Sequence, residues 1–164
     1  MLKKIRISAV LLALLLTGCG AEETMETVAD EILQSVTAEM HQIYLELPAQ
    51  AASPAVESDA DRLYQCDTYD IRVQTLAGGD LNRTVRSLSG YDRESLTILK
   101  TVRDGWECYE FVWASAGECG VQVGRAMVIC DGSYHYCVSV LGDADCMQEN
   151  RLPWDDMFAS FRLA

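Results

Sequence analysis

Three soft side chains near the end of the chain have the types and spacing for metal or thiol chemistry. His135 and Cys137 stand two residues apart in an alternating run, so a strand points both to one side, and Cys130 lies on that side across the next turn. Imidazole and thiolate favour zinc or copper, and a thiol beside an imidazole base suits a hydrolase. A fourth ligand and a third orienting group are missing from the pattern. We therefore predict no catalytic residue and no cofactor, and keep these three as the metal candidates.

Other titratable residues carry weaker patterns. Asp143 and Asp145 stand in a Gly-Asp-Ala-Asp segment that lacks the alternating oxygen ligands of a twelve-residue calcium loop, so a solvated turn is predicted. Asp155 and Asp156 are predicted to stabilise the positive end of a last helix. His41 lies among polar neighbours in a predicted helix and is expected to be solvated.

A strand with alternating aromatic side chains has the pattern of a core or of a ligand site. Tyr109, Phe111 and Trp113 point to one side of this strand, and the strand expected beside it carries glycine at positions 120 and 124. Large rings over a glycine-bearing strand indicate core packing or an open apolar cleft. Core packing is the main prediction, and an apolar pocket lined by the three rings is the alternative.

The first nineteen residues have the pattern of an export signal. Basic residues, the last of them Arg6, precede an apolar run over residues 7–16 that is far too short to span a membrane. The run ends in Leu16-Thr17-Gly18-Cys19, which resembles the lipobox of bacterial lipoproteins. The resemblance implies cleavage between Gly18 and Cys19 and attachment of lipid to the Cys19 sulfur.

A lipobox implies a place in the cell. Two or three acyl chains on Cys19 make release from a bilayer rare, because each buried methylene contributes about 0.8 kcal/mol. We therefore expect a lipid-anchored protein at the extracytoplasmic face of the cell membrane. The expected organisation is a signal peptide over residues 1–18, a lipid anchor and short tether over residues 19–24, and a single α+β globular domain over residues 25–164.

The charge of the mature chain excludes some partners. Removing residues 1–18 takes away three basic residues and no acidic one, which leaves 10 basic against 25 acidic side chains and a formal charge of −15. Such a charge repels phosphate backbones and anionic lipid headgroups. We therefore expect no nucleic-acid partner.

The order of helices and strands can be predicted from the spacing of apolar residues. Steps of three or four predict an amphipathic helix from Glu22 to about Tyr44, and a polar stretch over residues 48–60 then predicts a surface loop. Alternating runs over residues 62–66 and 69–76 predict a hairpin.

The second half of the chain predicts a short helix and a four-stranded meander. The helix starts after the N-cap Asp80 and stops at Gly90. The four strands are expected over residues 96–102, 106–114, 120–130 and 133–141. Asp131-Gly132 predicts a two-residue hairpin turn in which Cys130 pairs with Ser133. Pro153 is expected at the first position of a closing helix.

This order of elements predicts an α+β fold, in which a twisted antiparallel meander packs against N-terminal, short middle and C-terminal helices. The layout resembles the PsbP-like fold, which has an early strand before a proline, here residues 43–47 before Pro48, and a last helix ending in a Ser-Phe pair, here Ser160-Phe161. In that alternative, residues 43 and 44 begin a strand. The resemblance implies a non-catalytic binding or assembly factor.

Six cysteines follow the lipobox, an even number that allows three disulfides in an exported protein. A disulfide needs Cα atoms within about 7 Å. The expected register places Cys137 opposite Ala126, four residues from Cys130, and separates the other meander cysteines as well. Because only Cys66 and Cys146 lie outside the meander, we expect at most two disulfides.

These patterns favour a membrane-anchored lipoprotein whose domain is a non-catalytic module that binds an envelope protein or a wall component. A carrier of a lipid or another small apolar ligand is the alternative supported by the aromatic strand. A hydrolase or redox enzyme that uses His135, Cys137 or an acid pair is a third class, which the missing orienting groups disfavour.

Overall fold

The computed structural model describes residues 39–117 and 120–164, which contain nine strands and two α-helices. The strands are β1 Ile43–Tyr44, β2 Val56–Glu57, β3 Asp61–Gln65, β4 Tyr69–Ala77, β5 Ile98–Arg103, β6 Trp106–Gly117, β7 Gly120–Cys130, β8 Tyr134–Asp143 and β9 Arg162–Leu163. The helices are α1 Leu81–Ser89 and α2 Met147–Ser160. Within the described residues, no helix is both long enough and apolar enough to cross a bilayer.

Seven of the strands form an antiparallel sheet in the order β2-β3-β4-β8-β7-β6-β5. The predicted meander is confirmed, because β5 to β8 are consecutive neighbours, and the predicted hairpin is confirmed as β3 and β4. The strands β1 and β9 form a separate two-stranded ribbon in which Ile43 pairs with Leu163. The antiparallel sheet of the predicted α+β fold is therefore present.

The short middle helix has the predicted caps. The Asp80 carboxylate accepts a hydrogen bond from the backbone N–H of Asn82 at 2.9 Å, and Gly90 closes α1 with a φ of +79°. The helix buries Val85 against the sheet, with Leu81 and Leu88 beside it. These three residues follow one another at steps of four and three, so they lie on one face of the helix.

The predicted N-terminal helix lies almost wholly outside the described residues. Its predicted end is wrong, because residues 39–42 are not helical and Ile43–Tyr44 is a strand. Pairing with the C-terminal strand and packing of Ile43 on the core outweigh the local helical periodicity. The early strand of the PsbP-like layout is therefore present, although it is shorter than expected. The predicted loop over residues 48–60 also contains the short strand Val56–Glu57.

The closing helix begins at Met147, six residues before its predicted start at Pro153. A 3-10 turn over Ala144–Cys146 leads directly into α2, and the added turns are stabilised where the buried Asn150 Nδ2 donates to Thr68 Oγ1 at 3.0 Å. Pro153 is therefore an interior residue that cannot donate to the carbonyl four residues earlier. The prediction that Asp155 and its neighbour sit at the helix N-terminus is wrong for the same reason.

The turn between β7 and β8 differs from the prediction. Cys130 pairs with His135 rather than with Ser133, so Gly132 and Ser133 occupy the turn. The Asp131 carboxylate accepts hydrogen bonds from two backbone N–H groups of the turn, at 2.7 and 2.6 Å, and Gly132 has a φ of +94°. These side-chain bonds stabilise a turn that starts one residue later.

The changed register leaves the predicted faces of the strands intact, because the pairing moves by an even number of residues. Cys137 now lies opposite Val128 rather than Ala126. One face of the sheet, the α2 face, carries the main core: Ile71, Val73, Cys108, Met127, Ile129, Tyr136, Val138 and Val140, covered by Trp154, Met157, Phe158 and Phe161. The opposite α1 face carries a second core: Tyr109, Phe111, Trp113, Ala126, Val128 and Cys137, with Val85.

Candidate binding groove

The α2 face of the sheet is covered only in part. Val112 pairs with Arg125 across β6 and β7, and Val121 lies two pairs further along on the same face. Leu99 of the edge strand β5 joins them through its pair with Glu110. Val112 is 56% exposed, Val121 58% and Leu99 58%. The ends of β5, β6 and β7 therefore present an apolar corner that α2 does not cover.

A cavity of about 290 Å³, which we call the groove, lies between this corner and α2. Val112 and Val123 line it from the sheet, and Met147, Arg151 and Trp154 line it from the helix. Glu110, Arg125 and Asp155 complete its lining. The groove exists because α2 begins at Met147, and these six added residues, about 1.7 helical turns, extend the helix beside the sheet.

Arg125 joins the two sides of the groove. Its Nε donates to Glu110 Oε1 at 2.7 Å, and Nη1 donates to Asp155 Oδ1 at 2.6 Å. The guanidinium also lies 4.5 Å from the centroid of the Phe158 ring. Arg125 thus connects the sheet to the helix and its charge is neutralised there. Arg151, 78% exposed, is the cation at the rim.

Trp154 has a buried polar group without a partner. The residue is 2% exposed, and its indole N–H has no hydrogen-bond acceptor within the described part of the chain. Its ring packs edge-on against Tyr69, with centroids 5.6 Å apart, and a Cβ at Gly142 would come within 3.2 Å of its Cζ2. A buried donor without an acceptor costs about 1–3 kcal/mol.

The three aromatic residues predicted as core or pocket come together on the α1 face. Tyr109, Phe111 and Trp113 are all buried and pack in one layer with Val85 of α1. Trp113 lies over Gly124, where a Cβ would come within 2.1 Å of the ring. The close approach requires glycine at this position, and the arrangement is that of core packing.

The three candidate metal ligands lie on the α1 face. His135 lies opposite Cys130, and Cys137 follows two residues along β8. The His135 ring shares a 2.7 Å hydrogen bond with Thr84 of α1 through Nδ1, and burial lowers its pKa. Burial raises the pKa of the Cys137 thiol, and raises that of Cys130 to about 11. Both thiols are therefore neutral and poorly nucleophilic near pH 7.

Other candidates for chemistry are spread over the domain. Among residues 39–117 and 120–164, no three or more His, Cys, Asp or Glu side chains are grouped to hold a metal ion. The five described cysteines are unpaired: Cys66, Cys108, Cys130, Cys137 and Cys146. Asp143 and Asp145 are exposed beside the turn that precedes α2. Gly18 and Cys19 lie outside the described residues.

His41 does not lie in a helix, so that part of its prediction is wrong, and its side chain is 39% exposed. It is half-buried at the turn end of the sheet, where its ring centroid lies 5.2 Å from that of Trp106. Its backbone N–H donates to Tyr136 Oη at 2.9 Å, and Tyr136 donates to Asp131 Oδ2 at 2.7 Å. Burial and the nearby carboxylate raise the pKa of Tyr136 to about 12. The cluster fixes the start of the described chain against the domain.

The groove residues are those that sequence reasoning missed. Arg125 is a lone cation within the apolar run of β7, and Val112 faces away from the three rings of β6. These two features are the sequence signals that could have drawn attention to the α2 face of β6 and β7. The unpartnered N–H of Trp154 has no signal in the sequence, because it depends on which acceptors the fold brings near it.

No family model and no curated protein match this chain. The solved structures that are similar to it include the following three. A crystal structure from Bacteroides thetaiotaomicron has 11% identity and a TM-score of 0.48, over 74% of this chain and 45% of that one. The solution structure of cyanobacterial PsbP (CyanoP) from Synechocystis has 12% identity and a TM-score of 0.48, and the match covers 78% of this chain and 96% of CyanoP. The crystal structure of LpqN from Mycobacterium tuberculosis has 9% identity and a TM-score of 0.51, and the match covers 78% of this chain and 87% of LpqN.

The domain is similar in fold to LpqN. LpqN is described as involved in cell envelope biogenesis, and at 9% identity the likeness concerns the fold alone. No conclusion rests on the other two structures, whose TM-scores lie below 0.5. The chain spans less than half the length of the Bacteroides protein.

Proposed function

We propose that this chain is a lipid-anchored extracytoplasmic protein of the cell envelope, and that its domain is a non-catalytic module that binds an envelope partner through the groove. The buried indole N–H of Trp154, which lacks an acceptor beside an exposed apolar corner, carries the proposal. A partner would supply the acceptor and cover Val112 and Val121. The fold shared with LpqN, itself involved in cell envelope biogenesis, agrees with this setting.

The placement of the other candidate residues supports a binding module over an enzyme or a carrier. The His135 ring is bonded to Thr84, and the Cys137 thiol has a raised pKa and donates to a backbone carbonyl at 3.6 Å. Neither arrangement activates a nucleophile. The rings expected to line a carrier pocket, such as Phe111, are packed in the core. The groove is thus the best-supported binding surface.

Site-specific photo-crosslinking in living cells tests the binding surface. A photoreactive amino acid replaces Val112 at the groove and, as a matched control, Val102, an exposed valine on the opposite face of the sheet. The groove position is expected to form a discrete crosslinked product with an envelope component, and the control position is not. Equal products from both positions, or none from Val112, would contradict the proposal.

The anchor requires a separate test, because it depends on Cys19. Replacing Cys19 with Ser removes the sulfur that receives the lipid, and the protein is expected to be lost from the membrane fraction. The measurement is metabolic labelling with a fatty acid, together with membrane fractionation. Incorporation of label into the Cys19→Ser variant would show that the lipobox assignment is wrong.

A further inference from the structure

The size of the groove favours a protein partner over an enclosed small ligand. Its volume of about 290 Å³ lies at the lower limit of the roughly 300–1,000 Å³ of small-molecule pockets. The apolar surface continues outside the groove over Val112, Val121 and Leu99, each more than half exposed. The groove is thus a small slot within a wider apolar surface, and charged side chains border it. This arrangement is typical of a protein interface.

The lining of the groove indicates what the partner places in it. Val112, Val123 and Met147 offer apolar contacts, and Trp154 offers an unsatisfied donor. One residue of a polypeptide can meet both needs. Its apolar side chain can fill the slot, and its main-chain carbonyl can accept the hydrogen bond. Tryptophan and arginine, which are frequent at binding hot spots, are among the residues that line the groove.

The charge of the protein indicates the sign of the partner's charge. Around the groove, Arg125 is neutralised by Glu110 and Asp155, so local charges largely cancel. The long-range field is then set by the mature chain, which carries 10 basic and 25 acidic side chains. This field attracts cations and repels anionic wall polymers and anionic lipid headgroups.

We infer that the groove receives a basic protein, which inserts one apolar side chain between the sheet and α2 and presents a backbone carbonyl to the indole N–H of Trp154. The inference rests on the proposed function, since it names the class of partner for the same site. It excludes an anionic wall polymer as the occupant.

Three acetylated peptides of equal length serve as probes: alternating Leu and Lys, alternating Leu and Glu, and alternating Ser and Lys. Each is titrated into the mature lipidated protein in detergent micelles, and the Trp154 indole N–H is followed by nuclear magnetic resonance. The Trp154→Phe variant assigns this resonance. The Leu/Lys peptide is expected to move it and to bind at least about tenfold more tightly than the other two. Raising the salt from about 50 to 500 mM is expected to weaken that binding.

Matched variants separate the groove from general attraction to an acidic surface. Val112→Ser is expected to weaken Leu/Lys binding by about threefold to tenfold, whereas Val102→Ser, on the opposite face, leaves it unchanged. Trp154→Phe is expected to weaken it about threefold or more, because the donor is lost. Both valines are exposed, so neither change threatens the core.

Several results would overturn the inference. Equal or tighter binding of the Leu/Glu peptide would refute a basic partner, and equal binding of the Ser/Lys peptide would refute the apolar slot. An unmoved Trp154 resonance, or no peptide binding at all, would also refute it. If crosslinking from Val112 in cells still gives a discrete product in those cases, the binding module stands and only the class of partner is wrong. If that crosslinking also fails, the proposed function fails with it.

Discussion

The two faces of the sheet bury polar groups in different ways. On the α1 face, His135 is 6% exposed and its ring shares a 2.7 Å hydrogen bond with Thr84 of α1. On the α2 face, the Trp154 ring is 2% exposed and its N–H has no partner among the described residues. On the first face, a side chain of α1 therefore satisfies the buried polar group. The second face leaves a buried donor unpaired and an apolar corner exposed, and the proposed binding surface rests on these two features.

The largest effect is expected from crowding the closed face. Gly124→Ala places a methyl group within 2.1 Å of the Trp113 ring, and overpacking of this kind is expected to lower the free energy of unfolding by about 3 kcal/mol. Urea unfolding measures it. The control is Gly117→Ala in the same hairpin, where a Cβ meets the flexible side chain of Gln122, and the expected cost is below about 1 kcal/mol. Equal costs would show that the α1 face is not tightly packed.

A smaller loss is expected when the buried histidine loses its partner. Thr84→Val keeps the shape of the side chain but leaves His135 Nδ1 without a hydrogen bond, at a cost of about 1–3 kcal/mol. Ser87→Ala, exposed on the same helix, is the control and is expected to change stability by less than about 0.5 kcal/mol. Unchanged stability of Thr84→Val would remove the contrast between His135 and Trp154.

The pH dependence of stability sharpens the same contrast. Burial lowers the pKa of His135 in the folded protein below its ordinary value of 6.5. The unfolded chain therefore binds more protons below that pH, and the stability contributed by the neutral ring is lost as the pH falls from about 6.5. Unfolding measured between about pH 7 and 5 is expected to show this loss, and His135→Gln is expected to reduce it. An identical slope in His135→Gln would contradict the assignment.

The smallest effect on stability is expected at the groove. Trp154→Phe removes apolar area but also removes an unsatisfied buried donor, so the two effects oppose each other and the net cost is expected to be below about 1 kcal/mol. Urea unfolding of the purified protein measures it. A cost as large as that of Gly124→Ala would mean that the indole N–H has a partner in the folded protein.

Local patterns are sufficient to predict the meander, the hairpin of β3 and β4, and α1. The alternation in residues 96–141 and the caps Asp80 and Gly90 act over a few residues, so they can be read directly from the sequence. The end of the first helix was wrong because pairing of Ile43 with Leu163 is a contact across the whole domain. The turn register was wrong because the Asp131 side chain, rather than the Asp-Gly dipeptide alone, selects the turn.

The groove could not be predicted, for two physical reasons. Starting the last helix at Pro153 leaves Met147 and Arg151 in a loop, whereas tertiary packing extends the helix through both. The groove also joins β6, β7 and α2, whose facing residues, such as Val112 and Trp154, are far apart in sequence. Whether the Trp154 indole N–H finds an acceptor depends on its surroundings in the folded protein. The composition of the chain and the spacing of its residues do not indicate it.

The central claim is that Trp154 serves a partner rather than the fold. The direct test compares the yield of the Val112 photo-crosslink in cells between Trp154→Phe and Thr84→Val. The account predicts that Trp154→Phe lowers the yield about threefold or more while Thr84→Val, which is the less stable protein, leaves it unchanged. An unchanged yield in Trp154→Phe, or an equal loss in both variants, would contradict the account.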